Sequence, residues 1–581
     1  MRYRSTRGYP FSPPLSAKQG ISFEDAVLQG LAPDGGLFIP ESIPAFPLQE
    51  ILSWSDLPFP ALAFRVFRKF IAKAEIPDAD LESILLRSFA TFSSPAVTPL
   101  EKLPNVRPTH PNRDLENLYL LELFHGPTFA FKDVALQVLG NLFAFFLERR
   151  NANRARKGLP PYAITVVGAT SGDTGGAAIY GLRGKAHVNC FILHPKGRIS
   201  PVQEQQMTSV LDANVHNVAV EGTFDDCQDI VKALFSDAAF RDRYHLAAIN
   251  SINWARILAQ TSYYFYSHLA LLKRIGVPRG SVGAAALVRV RYCVPTGNFG
   301  DVLAGYYALR MGLPIEQLVV ATNENDILHR FLESGSYEKN PAADGEVKQT
   351  LSPAMDILIS SNFERLAWYL ARGDGRGAAS AGDDRAASAA VAGWMAQLKA
   401  TGGFAVPAAV HGRAREAFGS VRVSDADTTD AIHRYYHHGF ARADGDAAKT
   451  GRGHHRVLDP HTAVGVVAGE RFILAAGSGG AGSAVHTICL STASPGKFPE
   501  AVLGAINANV PPVSVQRGFV PLAFEDFAPK QLVELAGLPR RCIYVQTGAG
   551  GKAAGLAGVR TVIEGLIGKD FAEPGKPIAK L

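Results

Sequence analysis

The clearest periodic segment of the chain starts at residue 132, where Val134, Leu136, Val138, Leu139, Leu142, Phe143 and Phe146 form a broad apolar face and predict a helix opening at Lys132. From about residue 96 onward, short apolar runs alternate with helix-compatible stretches. Residues 163–167, 188–193 and 215–220 read as strands, and 177–182, 201–211, 224–235 and 302–309 as helices. That alternation is an α/β signature, in which sites lie beyond the carboxyl ends of the strands. Residues 1–95 differ, with helices expected at 23–31 and 57–74. The pattern therefore divides the chain into a mainly helical N-terminal domain, 1–95, and an α/β region, 96–581.

Three stretches interrupt the periodicity. Residues 371–390, rich in Gly, Ala, Ser, Asp and Arg, predict a mobile loop before a short helix around Trp394, and 441–455 and 475–483 are further polar or small-residue inserts. No internal repeat is visible.

With 581 residues at 47% hydrophobic, the chain can build two or three domains with substantial cores. A net charge of +6 without a dense Lys/Arg run suits anionic metabolites and argues against nucleic acid. Cys190, Cys227, Cys293, Cys489 and Cys542 are widely spaced with no Cys-x-x-Cys pair, so a reducing compartment, the cytoplasm, is expected. The basic N-terminus runs into a proline-rich segment lacking an apolar signal core, which predicts no cleaved leader, and no run is long enough to span a membrane.

Candidate chemistry centres on Lys132, flanked by Phe129 and Phe131. Partial desolvation and the positive end of a helix both disfavour an ammonium and so make the amine reactive. A snorkelling lysine on an amphipathic helix is the alternative. Two glycine turns change the balance. One, 170–176, lies between a strand and a helix; the other, Gly297-Asn298-Phe299-Gly300-Asp301, precedes a helix-compatible run. Each is suited to aim backbone N–H groups at an anion. An activated lysine with two such turns implies a phosphate-bearing aldehyde cofactor held as a Schiff base.

These segments, together with 23–40, Asn250-Ser251-Ile252-Asn253-Trp254-Ala255-Arg256, 352–357, 361–365 and Asp459-Pro460-His461-Thr462, resemble the threonine synthases of the long fungal and bacterial form. Those belong to the pyridoxal-phosphate enzymes of the tryptophan-synthase-β type. The resemblance implies that fold, open twisted sheets with flanking helices, and pyridoxal 5'-phosphate as cofactor. It implies that Lys132 is the Schiff-base lysine, that Gly297, Asn298, Phe299, Gly300 and Asp301 surround the cofactor phosphate, and that the Thr492 hydroxyl meets the pyridine nitrogen. Asp301 is expected to act through its backbone or as a helix cap, because its charge would repel phosphate. Around Thr492 the sequence departs from the family pattern, with Ser494 in place of a histidine and Gly496 in place of an alanine.

Ser171, Asp173 and Thr174 are candidates for the substrate carboxylate or the cofactor's ring oxygen, and Arg256 for a second phosphate. Arg365 and Lys497 are weaker phosphate candidates; for Arg365 an ion pair with Glu364 is an equal alternative. The implied reaction converts O-phosphohomoserine and water to threonine and phosphate, with Lys132 shuttling the protons, in a monomer or homodimer. A dehydratase-like or phospho-lyase-like paralogue and a non-catalytic ligand-binding homologue are the alternatives. His433, His437, His438, His454, His455 and His461 lack the spacing of a metal site and read as exposed loop histidines. The segment 548–553 reads as a glycine-rich loop, since Ala553 stands where a nucleotide-binding loop needs Ser or Thr.

Overall fold

The computed structural model describes residues 1–8, 20–107, 113–339, 346–375, 383–441, 456–475, 485–516 and 518–572. Two largely parallel sheets organise it. The larger runs in the order Phe418–Arg422, Ile315–Thr322, Arg289–Pro295, Val485–Ser491, Leu118–Glu122 and Leu100–Lys102, only the last strand being antiparallel to its neighbour. The smaller is Ile543–Val545, Val215–Val220, Val188–Pro195, Ile164–Ala169 and Leu246–Ala247, parallel throughout. Parallel sheets need cover on both faces, and the nearly continuous burial of Val188–Pro195 and Arg289–Pro295 reflects it. The α/β reading holds.

The helix opening at Lys132 extends to Arg156, and every residue from Lys132 to Phe143 is buried. Its first three turns are thus enclosed on all sides rather than amphipathic. Close packing against the Asp173–Leu182 helix depends on glycine: a Cβ on Gly140 would lie 1.9 Å from the Gly181 carbonyl oxygen. That second helix begins four residues earlier than its apolar run predicts.

The N-terminal helices are Phe23–Gln29, Leu48–Leu52, Phe59–Phe70 and Asp78–Phe89. Gly30, at φ +69°, ends the first of them before residue 31, and the third starts after Pro58 and stops at the extended Ile71. These helices share one core with the rest of the molecule: the Tyr3 ring lies 5.9 Å from Trp254, and Phe23 6.3 Å from Phe146.

The loop expected at 371–390 is largely something else. Ala371 and Arg372 close the Phe363–Arg372 helix, Asp374 is fully buried, and a helix of 18 residues, Asp384–Thr401, begins inside the supposed loop. Asp383 caps it by accepting from the Arg385 and Ala386 N–H groups, and Trp368 donates to Ser388 at 2.9 Å. Low complexity concealed an alanine-rich helix former. Residues 376–382, and the inserts over 442–455 and 476–484, lie outside the described residues. Among the described residues no helix is long and apolar enough to cross a membrane.

Candidate active site

Four strand ends converge on one cleft. Leaving Leu118–Glu122, the chain zips onto the continuation of Val485–Ser491: Leu123 N–H donates to Ser491 O (2.9 Å), Phe131 N–H to Thr492 O (2.8 Å) and Ser494 N–H to Phe129 O (3.0 Å). Phe129 takes a left-handed φ of +59°, a strained conformation for a bulky residue, and the helix then starts at Lys132. Asp133 fastens the turn from beneath, its carboxylate accepting from Thr128 N–H (2.8 Å) and Thr128 Oγ1 (2.7 Å) while its own N–H donates to Ala130 O (3.0 Å). Burial pushes its carboxyl up to about 6 despite these donors. Lys132 and Thr492 are therefore held side by side by backbone hydrogen bonds.

Both face a cavity of about 690 Å³, partly open to solvent, that Asp173, Arg256, Asn298 and His461 also line. Lys132 is 9% exposed, and its Nζ sits 4.7 Å from the Phe131 ring and 3.7 Å from Asp173 Oδ2. Burial lowers its proton affinity, Asp173 restores part of it, and the Lys497 and Arg256 cations lower it further. Asp173 is shared. Its Oδ1 takes the Lys497 ammonium at 2.8 Å and the Gln203 amide at 2.8 Å. Burial pushes the Asp173 carboxyl up, but the Lys497 and Lys132 ammonium groups together hold it well below the usual carboxylate range.

The two glycine turns differ. In the first, the Thr170 hydroxyl oxygen accepts from Gly172 N–H and Gly175 N–H, each at 2.9 Å, so those donors are spent inside the turn. In the second, no described hydrogen bond uses the N–H groups of Gly297, Asn298, Phe299 or Gly300, while the carbonyls are tied back: Ser360 Oγ donates to Gly297 O at 2.5 Å and Asn362 to Asn298 O at 3.1 Å. Phe299 is left-handed at φ +65° and leads into the Gly300–Arg310 helix. A Cβ on Gly297 would lie 2.9 Å from Ile357 and 3.0 Å from Ala354 O, so the turn is packed from behind. Four unspent donors at a helix N-terminus form an anion cradle.

Arg256 is 3% exposed, donates from Nη1 to Ile249 O at 3.1 Å, and keeps its Nε buried without a partner. Burial lowers its value to about 10. No carboxylate pairs with it among the described residues. A desolvated guanidinium open to the cavity invites a second anion. The buried amine, the unspent N–H cradle and the Thr492 hydroxyl all fit pyridoxal phosphate.

The other candidates sort differently. Thr174 lines the cavity with Asp173, whereas Ser171 is exposed and is not part of its lining. Asp301 does not cap the helix, which Phe299 precedes; its side chain is buried against Tyr263 and Tyr264. Arg365 does not pair with Glu364, whose carboxylate takes Arg7 at 2.7 Å; it donates instead to Phe38 O (3.0 Å), Ile252 O (2.6 Å) and Asn362 Oδ1 (2.6 Å). It braces the loop before Trp254–Arg274. Lys497 is fully buried on Asp173, Thr128 O and Gln206, an anchor of the lysine turn and not a member of the cavity lining.

The histidine expectation fails for those described. His433, His437, His438 and His461 sit on helices, and His437 and His461 are each only 3% exposed; His454 and His455 lie outside the described residues. His461 is a site residue that the motif spacing did not single out. Its Nε2 accepts from Ala354 N–H at 3.1 Å, which places its proton on Nδ1, directed at Asp459 (3.0 Å). The Asp459-Pro460 pair, a cap residue and a first-turn proline opening the Pro460–Ala475 helix, was the available signal. At the 548–553 segment, Glu221 takes the Thr547 and Gly548 N–H groups at 3.1 and 3.4 Å, and the Gly550 N–H donates to Thr547 O at 3.1 Å.

Known proteins agree with this layout. Residues 2–89 match the threonine synthase N-terminus family, 92–423 the pyridoxal-phosphate dependent enzyme family and 462–554 the threonine synthase C-terminal family. The chain is 49% identical to a threonine synthase from Saccharomyces cerevisiae over 549 residues, 94% of this chain and 95% of that one. The crystal structure of threonine synthase from yeast superposes with a TM-score of 0.81 at 47% identity, covering 98% of this chain and 99% of that one. A pyridoxal-phosphate-bound threonine synthase from Brucella melitensis superposes with a TM-score of 0.72 at 38% identity over 96% and 100% of the two chains. With family models and relatives matching most of its length in this way, the chain belongs to the threonine synthase family of pyridoxal-phosphate-dependent enzymes.

Proposed function

We propose that the chain converts O-phosphohomoserine and water to threonine and phosphate, with Lys132 as the proton-transferring residue. The observation that carries the substrate assignment is Arg256: a buried, carboxylate-free cation in the same cavity as the N–H cradle gives two separate anion sites. One serves a cofactor phosphate and the other a substrate phosphate. When bound, pyridoxal phosphate supplies an electron sink for charge developing at the substrate's Cα.

The Gly297–Gly300 N–H groups would hold the cofactor phosphate, the Thr492 hydroxyl would meet its ring nitrogen, and Lys132 would hold its aldehyde carbon. As a neutral amine, a state that its burial favours, Lys132 would take up the substrate's Cα proton. Asp173, with Lys497 behind it, keeps Nζ aimed at the reacting carbons after it gains that proton. Arg256 neutralises the phosphate that leaves Cγ, a charge-assisted contact of roughly 1.5–3 kcal/mol. Thr174, at the start of the Asp173–Leu182 helix, faces the substrate carboxylate. The unpaired cysteines support a cytoplasmic setting.

Incubating the holoenzyme with O-phosphohomoserine should release threonine and phosphate in equal amounts. Phosphate accompanied by a 2-oxo acid and no threonine would instead establish the lyase-like alternative.

A further inference from the structure

Asp301 is the one carboxylate in the phosphate turn, and its surroundings are unusual. The side chain is 6% exposed and lines the cavity. Both hydroxyls from the neighbouring Trp254–Arg274 helix, those of Tyr263 and Tyr264, donate to Oδ1. Oδ2 is buried with no hydrogen-bond partner. An ionised carboxylate so placed would leave one oxygen desolvated and uncompensated, next to four N–H groups that await an anion.

We propose that Asp301 is a carboxylic acid in the working enzyme, carrying its proton on the buried Oδ2, so that no negative charge opposes the phosphate seated in the Gly297–Gly300 turn and cofactor binding is coupled to proton uptake. Burial pushes the carboxyl up to about 7 even against Tyr263, Tyr264 and the Lys132 cation, which lower it. Asp173, Arg256 and His461 are the other titratable groups lining the cavity. A phosphate dianion in the adjacent turn raises the proton affinity further. The neutral acid removes the repulsion that a carboxylate would present. The inference rests on the cofactor phosphate occupying this turn.

Asp301→Asn tests it, because the amide reproduces the neutral acid: Oδ1 still accepts from both tyrosines and the group carries no charge at any pH. Pyridoxal phosphate and phosphate-free pyridoxal are titrated into the full-length chain from pH 6 to 9, with calorimetry in two buffers of different ionisation enthalpy to count protons. Wild type should lose affinity for pyridoxal phosphate above pH 7, approaching tenfold per pH unit, and take up one proton more than Asp301→Asn at pH 8. The variant should bind as tightly with that dependence removed, and pyridoxal should show no difference. Equal proton uptake and equal slopes in the two proteins overturn the proposal.

A thermal readout is independent of ligand. A raised carboxyl costs stability as pH climbs from the ordinary carboxylate range through about 7, so the wild-type melting temperature should fall across that window relative to Asp301→Asn. Should Asp301→Asn misfold, Tyr263→Phe removes one donor from Oδ1 and should move the break in the affinity profile to higher pH; an unmoved break overturns the proposal. Gly297→Val separates the underlying reading. If it weakens pyridoxal phosphate no more than pyridoxal, the phosphate does not sit in this turn and both inferences fall.

Discussion

Lys132 is reactive because of what surrounds it rather than because of its own chemistry. Borohydride reduction of the holoenzyme should therefore fix the cofactor on Lys132, read by peptide mapping, and Lys132→Ala should lose that label together with roughly 10²–10⁴-fold or more of turnover. Label on Lys497, the other buried lysine of the cluster, would overturn the assignment. At this scale much of the candidate site was legible. Lys132 and the Gly297–Asp301 turn stand in local motifs whose residue types already state their chemistry, whereas Thr492 stood out only through the family resemblance. Asp173 was visible as a candidate but not as the carboxylate shared by two lysines, since Lys497 reaches it only through the fold. The partners of Asp301 were hidden for the same reason: Tyr263 and Tyr264 come from a helix elsewhere in the chain, where a helix cap was expected instead.

Elements whose boundaries are set by local chemistry were readable. The Val215–Val220 strand and the start of the Lys132–Arg156 helix match the apolar pattern. Elements defined by backbone contact were not. The Asp173–Leu182 helix includes Gly175 and Gly176, which sequence assigns to a turn, and its Gly181 serves the close approach to Gly140. Gly140→Ala should accordingly destabilise the protein by roughly 1–3 kcal/mol in chemical denaturation, as an overpacked interface does. Gly393→Ala, in the Asp384–Thr401 helix with nothing within 4 Å of its added Cβ, should stabilise by about 0.5–1 kcal/mol. Shifts of the same sign in both variants would contradict the packing argument. That same helix shows where composition misleads, since alanine and glycine counted as low complexity until burial of Ala387 and Val391 revealed a packed face.

Across the whole molecule, the two sheets meet at one cleft, and the groups facing it come from distant parts of the chain. The α/β class was legible because buried parallel strands and their covering helices alternate in sequence. The shared core of the N-terminal segment and Trp254 was not, because nothing local announces which aromatic rings meet. The account's central claim is that this cleft keeps two anions apart, one on the N–H turn and one on Arg256. Steady-state kinetics of Arg256→Ala with O-phosphohomoserine, alongside its cofactor content, measure that directly. The account predicts a KM raised by about 10–150-fold, matching the loss of a charge-assisted hydrogen bond, with cofactor retained and inhibition by free phosphate weakened. An unchanged KM with loss of cofactor would place Arg256 on the cofactor phosphate and contradict the two-anion account.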